Sequence, residues 1–236
     1  MHTTSTERDR LAATPSASAR PGIRALAAVV AEFRGGRTAL TTLRSEPPLT
    51  LRPTADALYV IGTAAGPLGG DELTFDIAVG DGATLTLRTV AASIVLPGPG
   101  GGRSSTVTNV VVGRGATLVY EPEPVIAVAG CDHVATTIIQ LAADATLVWN
   151  EHLVLGRHGE ESGSILQRLR VDRAGAPLYR NDLALGPVHP GWDTPAGIGE
   201  ARRVDTTLAV GAAAPVRPGA TVMPLAPDAT LTLTLR

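Results

Sequence analysis

Short runs of alternating apolar and polar residues, separated by glycine-rich turns, dominate the chain from about residue 23 onward. Alternation with a period of two indicates half-buried β-strands. The runs 25–33 and 38–44 flank Gly35 and Gly36, which predicts a first hairpin. No window of useful length keeps the apolar stripe of an amphipathic helix. The pattern therefore predicts an all-β protein with at most short helices.

One turn sequence recurs along the chain. Its copies lie at residues 79–85, 112–118, 141–147 and 225–231, with a weaker one at 210–216. The first three copies each follow an alternating β-branched run and precede another strand, so each repeat resembles a hairpin with a tight turn. A spacing near 30 residues is typical of units that stack along one axis. We therefore expect a β-helical, solenoid-like stack of repeated hairpins.

Composition and charge limit the possible classes of protein. Hydrophobic residues make up 44% of the 236, which indicates a globular chain, and residues 23–236 are long enough for a single domain. Residues 1–22 lack periodicity and predict a disordered tail. A net charge of −2 argues against nucleic-acid binding. One cysteine and an apolar run (25–31) too short to span a bilayer favour a cytoplasmic protein without membrane contact.

Ionisable residues interrupt the β-rich segment that begins at Trp149. Glu151 alternates with apolar positions, and Arg157 and Glu160 follow in a turn with two glycines. Buried charges must be paired or serve a purpose. Glu151 and Glu160 could act as a carboxylate pair in a hydrolase. No recognisable catalytic motif is present, however. Two other roles fit the sequence better than catalysis: Arg157 could form an ion pair with either carboxylate, or these residues could line a water-filled internal channel.

A second group of candidates could contact a metal. Cys131, Asp132 and His133 are consecutive and could join His152 in a weak soft-metal site. They lack the paired spacing of structural zinc sites, so a buried free thiol is the simpler interpretation of Cys131. The glycine-rich segment 62–71 lacks the Lys-Ser/Thr of a phosphate-binding loop. We expect this segment to form a turn that presents Asp71.

Several blocks of sequence resemble the UreD/UreH family of urease accessory proteins. In order, they are Phe-Arg-Gly-Gly-Arg-Thr at 33–38, Gly-Pro-Leu-Gly-Gly-Asp-Glu-Leu at 66–73 with Thr-Val-Ala-Ala-Ser at 89–93, Tyr-Glu-Pro-Glu-Pro-Val-Ile at 120–126, and the segment 149–160. The last is similar to the family's Trp-Glu-x-Leu-x-Leu-Gly-Arg block. Together the blocks run in register over roughly residues 25–205.

The resemblance implies a β-helical fold and a non-enzymatic role in urease maturation. It implies binding to a UreF-type partner, docking on apo-urease, and help in passing nickel from a UreG-type GTPase. It also implies a water-filled tunnel, for which the candidate lining or structural residues are Asp71, Glu121, Glu151, Arg157 and Glu160. No tightly bound cofactor is expected; nickel would be bound only transiently. The alternatives are a β-solenoid hydrolase or lyase using Glu151 and Glu160, or a generic β-rich assembly module.

Overall fold

A computed structural model describes residues 22–213 and 218–236, and these ranges contain seventeen β-strands and no helix. The strands are β1 (Arg24–Arg34), β2 (Arg37–Arg44), β3 (Leu49–Pro53), β4 (Leu58–Gly62), β5 (Glu72–Val79), β6 (Thr84–Thr89), β7 (Ser93–Val95), β8 (Ser104–Val112), β9 (Thr117–Glu121), β10 (Val125–Ala127), β11 (Asp132–Leu141), β12 (Thr146–Leu155), β13 (Ser164–Arg173), β14 (Ala176–Leu185), β15 (Arg203–Val210), β16 (Thr221–Ala226) and β17 (Ala229–Leu235).

These strands form two sheets. Sheet A has the order β14-β13-β11-β8-β5-β1-β2, and sheet B has the order β16-β17-β15-β12-β9-β6-β4-β3. The short strands β10 and β7 extend sheet B from β12 in parallel. Strands β1, β5, β8, β11 and β13 run parallel and in register in sheet A. The result is a β-solenoid of about four coils, which confirms the expected fold class.

The repeat unit is an arch between the two sheets. The turns at 79–85, 112–118 and 141–147 carry the chain from sheet A to sheet B. The two strands of each arch therefore pair with strands of neighbouring coils and not with each other, so the expectation that each repeat is a hairpin was wrong. They face each other across the interior because each has an apolar face, and the two faces bury each other. Gly82 and Gly115 supply the positive φ that the first two corners need.

True hairpins lie at the two ends of the solenoid. Strands β1 and β2 pair antiparallel around Gly35 and Gly36, which confirms the first predicted hairpin. Strands β13 and β14, and β16 and β17, pair in the same way. The predicted tail, apart from Gly22, lies outside the described residues, as does part of the weak fifth copy of the repeat. Within the described ranges, no helix is long and apolar enough to cross a membrane.

The interior contains two separate apolar clusters. The larger lies beside the arch turns and is built from registered inward rows such as Val29, Ile77, Val110, Ile139 and Val171. The smaller lies at the other end of the strands. It contains Val95, Ala127, Cys131, Leu153, Leu155, Ile165, Leu185 and Val204, and Trp192 and Ile198 of the long 186–200 connection pack against it. The two clusters leave a space between them.

The smaller cluster is held by an unusually close approach of backbones. A Cβ atom on Gly163 would lie 2.1 Å from the Val128 carbonyl oxygen and 2.4 Å from the Cys131 sulfur. A Cβ atom on Gly186 would lie 2.1 Å from the Gly163 carbonyl oxygen. Side chains cannot be accommodated at these distances, because the neighbouring atoms belong mostly to the backbone. The three chain segments are therefore locked together at this end of the solenoid.

We expect Gly163→Ala to lower the free energy of unfolding by about 3 kcal/mol or more, because overpacking here must move backbone atoms. Urea denaturation followed by circular dichroism measures the change. Gly62→Ala is the matched control, since its added Cβ would meet only one atom, at 4.0 Å. That variant should stay within about 1 kcal/mol of the wild type. Equal effects of the two changes would contradict the packing argument.

Candidate functional site

A cavity of about 180 Å³ lies between the two apolar clusters and is lined by residues of both sheets. A water molecule takes up about 30 Å³ in the liquid, so the cavity has room for roughly six. Its walls are mixed: apolar side chains such as Leu73, Phe75 and Ile165 alternate with hydroxyl, amide, imidazole and carboxyl groups. We call this space the interior cavity.

The polar groups of sheet A follow from strand register. On β8, the inward positions after Ser104 are Thr106 and Thr108, before the pattern returns to Val110 and Val112. Thr108 is paired with Thr137 of β11. Parallel in-register pairing places paired residues on the same face, so polar substitutions in neighbouring coils join into one wall.

Gln167 of β13 belongs to the same wall. Thr106 is paired with Ala135 of β11, and Ala135 with Gln167, so all three occupy one inward row and line the cavity. The sequence interpretation missed the threonines and Gln167. In the sequence, these residues interrupt positions that are otherwise apolar and point inward. That pattern could be recognised only after the structure showed which face of each strand points inward.

Glu151 faces this wall from sheet B. It occupies an inward position of β12 between Trp149 and Leu153, and the indole N–H of Trp149 donates to its Oε1 at 3.2 Å. Burial raises the pKa of the Glu151 carboxyl, and hydrogen bonds from Trp149 and Thr137 oppose that effect. Tyr120 stacks on Trp149 with ring centroids 4.3 Å apart and also lines the cavity. Among the predicted candidates, Glu151 is thus the acid placed inside the solenoid.

His133 contributes a neutral imidazole to the cavity. Its Nδ1 lies 2.8 Å from the hydroxyl oxygen of the fully buried Ser104. Burial lowers the pKa of His133 to about 4, so the ring is neutral at neutral pH and pairs one nitrogen with the Ser104 hydroxyl.

The cavity opens where sheet B is interrupted. Strand β9 ends at Glu121 and β10 begins at Val125, so the intervening residues leave the ladder. The side chain of Asn150 donates to the Tyr120 carbonyl at 2.7 Å, and the Thr207 hydroxyl donates to Asn150 at 2.7 Å. Asn150 therefore supplies a hydrogen bond at the point where the ladder stops. Pro122 and Glu123 line both the interior cavity and a groove on the outer face of sheet B, which connects the two spaces.

The outer groove carries paired charges. Arg88 donates to Glu121 and to Asp56, each at 2.8 Å. Glu121 is therefore at the rim of the opening, in an exposed ion pair, and does not reach the interior cavity. His152 lines the same groove on the outward side of β12. The rim thus combines carboxylates, one guanidinium and one imidazole.

Asp205 orients His152 at this rim. Its Oδ1 lies 2.7 Å from the His152 Nδ1, and Arg203 donates to both carboxylate oxygens at 2.9 Å. Arg236 also donates to Asp205. Burial raises the pKa of Asp205, but hydrogen bonds from Arg203, His152 and Arg236 outweigh it, and the net pKa is lowered. This ionised carboxylate holds the imidazole in a fixed orientation at the edge of the opening.

Asp71 has a structural position. It is buried, and its two carboxylate oxygens accept backbone N–H groups of Ile23 at 2.8 Å and Leu68 at 2.9 Å. The glycine-rich segment does form a turn around this side chain, as the sequence predicted. The carboxylate fastens the start of β1 to that turn and is absent from the cavity lining.

Arg157 and Glu160 form the ion pair considered from sequence. The guanidinium donates to Glu160 Oε2 at 2.7 Å and Oε1 at 2.8 Å, and the Arg157 backbone N–H donates to Oε2 at 3.0 Å. These contacts lower the pKa of Glu160 to about 2. The pair closes the turn after β12 and lines a different groove from the interior cavity. Glu151 and Glu160 are therefore not arranged as two carboxylates across one cleft.

The four weak metal candidates do not converge. Cys131 packs in the smaller cluster, and burial raises the pKa of its thiol to about 11. Asp132 accepts from Arg103 at 3.0 Å and 3.1 Å. His133 lines the wall of the cavity from sheet A, whereas His152 lies on the outward side of β12 and borders both the cavity and the outer groove. No group of three or more His, Cys, Asp or Glu in residues 22–213 and 218–236 is placed to hold a metal ion.

Fold and site together define a class: a β-solenoid whose interior cavity carries the Glu151 carboxyl on its inner wall and opens, beside Glu123, through a break in one sheet. A model of the family described as UreD urease accessory protein matches residues 24–233. A urease accessory protein UreD of Frankia casuarinae is 38% identical over 231 residues, covering 84% of this chain and 72% of that protein. The UreD of Streptomyces coelicolor is 37% identical, covering 89% of each chain. The chain belongs to the UreD urease accessory protein family.

Replacing Glu151 with the neutral isostere Gln should stabilise the fold at neutral pH. The native pKa of Glu151 is raised, so its ionisation opposes folding, and the loss develops as pH rises through the native pKa. We expect the free energy of unfolding of Glu151→Gln to exceed that of the wild type at pH 8, with a smaller difference at pH 4. Urea denaturation across this range measures it. A pH-independent difference would contradict the assignment.

His133 should make the protein sensitive to acid. A native pKa of about 4 lies below the ordinary value of 6.5, so protonation favours the unfolded chain as pH falls through this interval. Between pH 7 and pH 4 the wild type should lose about 3 kcal/mol more than His133→Asn. Denaturation at both pH values tests this. The His158→Asn variant, in which an exposed histidine is replaced, is the control and should lose as much free energy of unfolding between the two pH values as the wild type. If His133→Asn also lost as much as the wild type, the interpretation would be wrong.

Proposed function

We propose that this protein is a non-catalytic accessory scaffold in urease maturation and that its interior cavity lies on the route by which nickel reaches the urease active site. The observation that carries the proposal is the Glu151 carboxyl, placed inside a cavity that opens to the surface. Family membership supports the urease context, since the relatives' names describe urease accessory proteins. We propose a UreF-type partner, a UreG-type donor of nickel and apo-urease as the proteins it contacts, in the cytoplasm.

The side chains that line the cavity suit the passage of a divalent cation better than its tight binding. Hydroxyl, amide and carboxyl oxygens of Thr106, Thr137, Gln167 and Glu151 can stand in for part of a divalent cation's water shell. A route must bind well enough to admit the ion and weakly enough to release it. Glu151 among neutral oxygens, with Glu123 at the opening, meets this condition, whereas three or four convergent ligands would trap the metal.

The separation of Glu151 from Glu160 supports the scaffold over the hydrolase alternative. Glu160 is committed to Arg157 in another groove, so Glu151 and Glu160 do not face each other across one cleft. A carboxylate pair for sugar hydrolysis needs both groups at one bond, about 5–10 Å apart. The generic assembly module remains as the second alternative, and it would not require Glu151 at all.

Activation of apo-urease tests the proposal. Apo-urease and nickel are combined with the UreF-type and UreG-type proteins and with either the wild-type chain or Glu151→Gln. We expect the variant to lower the nickel content and activity of urease by about tenfold, because the charged oxygen for the cation is lost while the volume is kept. Nickel is quantified by mass spectrometry, independently of activity.

Glu72→Gln is the matched control, since Glu72 is an exposed acid paired with Arg24 on the outside of sheet A. This variant should activate urease like the wild type. Full activation by Glu151→Gln would remove the cavity from the nickel route. Absence of any complex between the wild-type chain and the urease components would overturn the scaffold role itself.

A further inference from the structure

The junction between the interior cavity and the outer groove is where an ion would cross from one space to the other. The residues that line both spaces are Thr89, Pro122, Glu123, Asn150 and His152. The Asn150 amide already donates and accepts hydrogen bonds within sheet B. The Thr89 hydroxyl accepts the backbone N–H of Glu123 at 2.7 Å. The Glu123 carboxylate and the His152 imidazole are therefore the groups at this junction that can meet an ion.

Asp205 determines which nitrogen of the His152 ring carries the proton. Arg203 donates to both of its carboxylate oxygens at 2.9 Å, and Arg236 donates to Oδ2. Two guanidinium groups keep this carboxylate ionised, and an ionised carboxylate can only accept hydrogen bonds. His152 Nδ1 lies 2.7 Å from Asp205 Oδ1 and must therefore be the donor. In the neutral ring, Nε2 then has an unshared electron pair.

The Nε2 atom of His152 is available to a metal ion. Within residues 22–213 and 218–236 it has no hydrogen-bond partner, and it points away from Asp205 because that residue contacts the other nitrogen. The side chain is only 12% exposed, so its surroundings hold the ring in place. A carboxylate bonded to one ring nitrogen is the usual support of a metal-binding histidine, since it fixes the tautomer and makes the other nitrogen more basic.

Glu123 supplies a second ligand at the same junction. In the described part of the chain, its carboxylate has neither a hydrogen bond nor an ion pair, whereas Arg88 of the outer groove is paired with Glu121 and Asp56. One carboxylate and one imidazole give a divalent cation two protein ligands and leave its other positions to water. No third His, Cys, Asp or Glu within the described ranges completes a group that would hold the ion tightly. The pair therefore suits an ion that binds and leaves again.

We propose that His152 Nε2 and Glu123 form a nickel-binding site at the mouth of the interior cavity and that the imidazole selects nickel over magnesium and calcium. Ligand sets made only of oxygen suit magnesium and calcium, whereas imidazole suits nickel. Nε2 replaces one water of the hydrated ion without releasing a proton, because this nitrogen carries none. Glu151, further inside, offers only oxygen and cannot make this distinction. The proposal deepens the proposed function, on which it rests, by naming the residue that determines which cation crosses the opening.

Equilibrium dialysis of the purified, untagged chain against nickel chloride tests this mouth site, with bound nickel quantified by mass spectrometry. We expect the wild type to keep its nickel in a large excess of magnesium chloride. His152→Asn should weaken the nickel affinity by about tenfold or more, because the Asn amide still donates to Asp205 but has no ring nitrogen to bind the metal. Magnesium should displace the nickel that this variant still binds. Asp205→Asn, which alters the positioning residue, should weaken the affinity by about 10- to 100-fold.

His158→Asn is the matched control, since His158 is exposed in the turn after β12 and lines a different groove. It should bind nickel like the wild type. Urea denaturation verifies that each variant is folded. Nitrogen-15 NMR of the metal-free wild type adds a measurement that needs no variant, because the neutral His152 ring should carry its proton on Nδ1. A proton on Nε2 instead would overturn the inference.

Three further outcomes separate this inference from the proposed function. Equal nickel affinity of His152→Asn and the wild type would contradict the mouth site, and so would a wild type that binds no nickel. Loss of binding in Glu151→Gln but not in His152→Asn would place the ion inside the cavity, which overturns the mouth site and leaves the nickel route intact. Full activation of urease by Glu151→Gln, in contrast, would remove the route itself, and the mouth site would fall with it.

Discussion

In-register parallel stacking is the constraint on which the rest of this structure depends. Because each arm pairs with the equivalent arm of the next coil, a residue's direction is repeated along a whole row. Apolar rows at the arch turns and at the far end of the strands bury each other and close the solenoid. One polar substitution would be a local defect, but Thr106, Thr108, Thr137 and Gln167 fall in adjacent rows and together form a wall.

The same stacking places the charged residues in two kinds of environment. Asp71 and the Arg157–Glu160 pair satisfy backbone groups and close turns, so their charges are used locally. Glu151 is different, because its neighbours on β12 belong to the two apolar clusters and its carboxyl points between them. Burial raises its pKa without a compensating cation. Glu151 is therefore an acid whose ionised form opposes folding rather than supporting it.

The two sheets give the solenoid two distinct sides. On sheet B, the chain between β9 and β10 leaves the ladder, and Asn150 satisfies the exposed carbonyl at the break. On sheet A, the parallel ladder is unbroken, and its outward positions mix apolar and polar residues.

The sequence by itself determined the strand content, the first hairpin, the repeat spacing and the resemblance to the family, because these depend on local alternation and on turn residues. It also singled out Glu151 and anticipated the Arg157–Glu160 pair. Only the tertiary structure decided which arms pair, because pairing partners lie about 30 residues apart and either choice satisfies the same alternation. It likewise decided that Cys131 packs in the smaller cluster, that His133 lines the interior cavity and that His152 lies on the outward side of β12, because the sheet and the row that a residue joins depend on which strands pair.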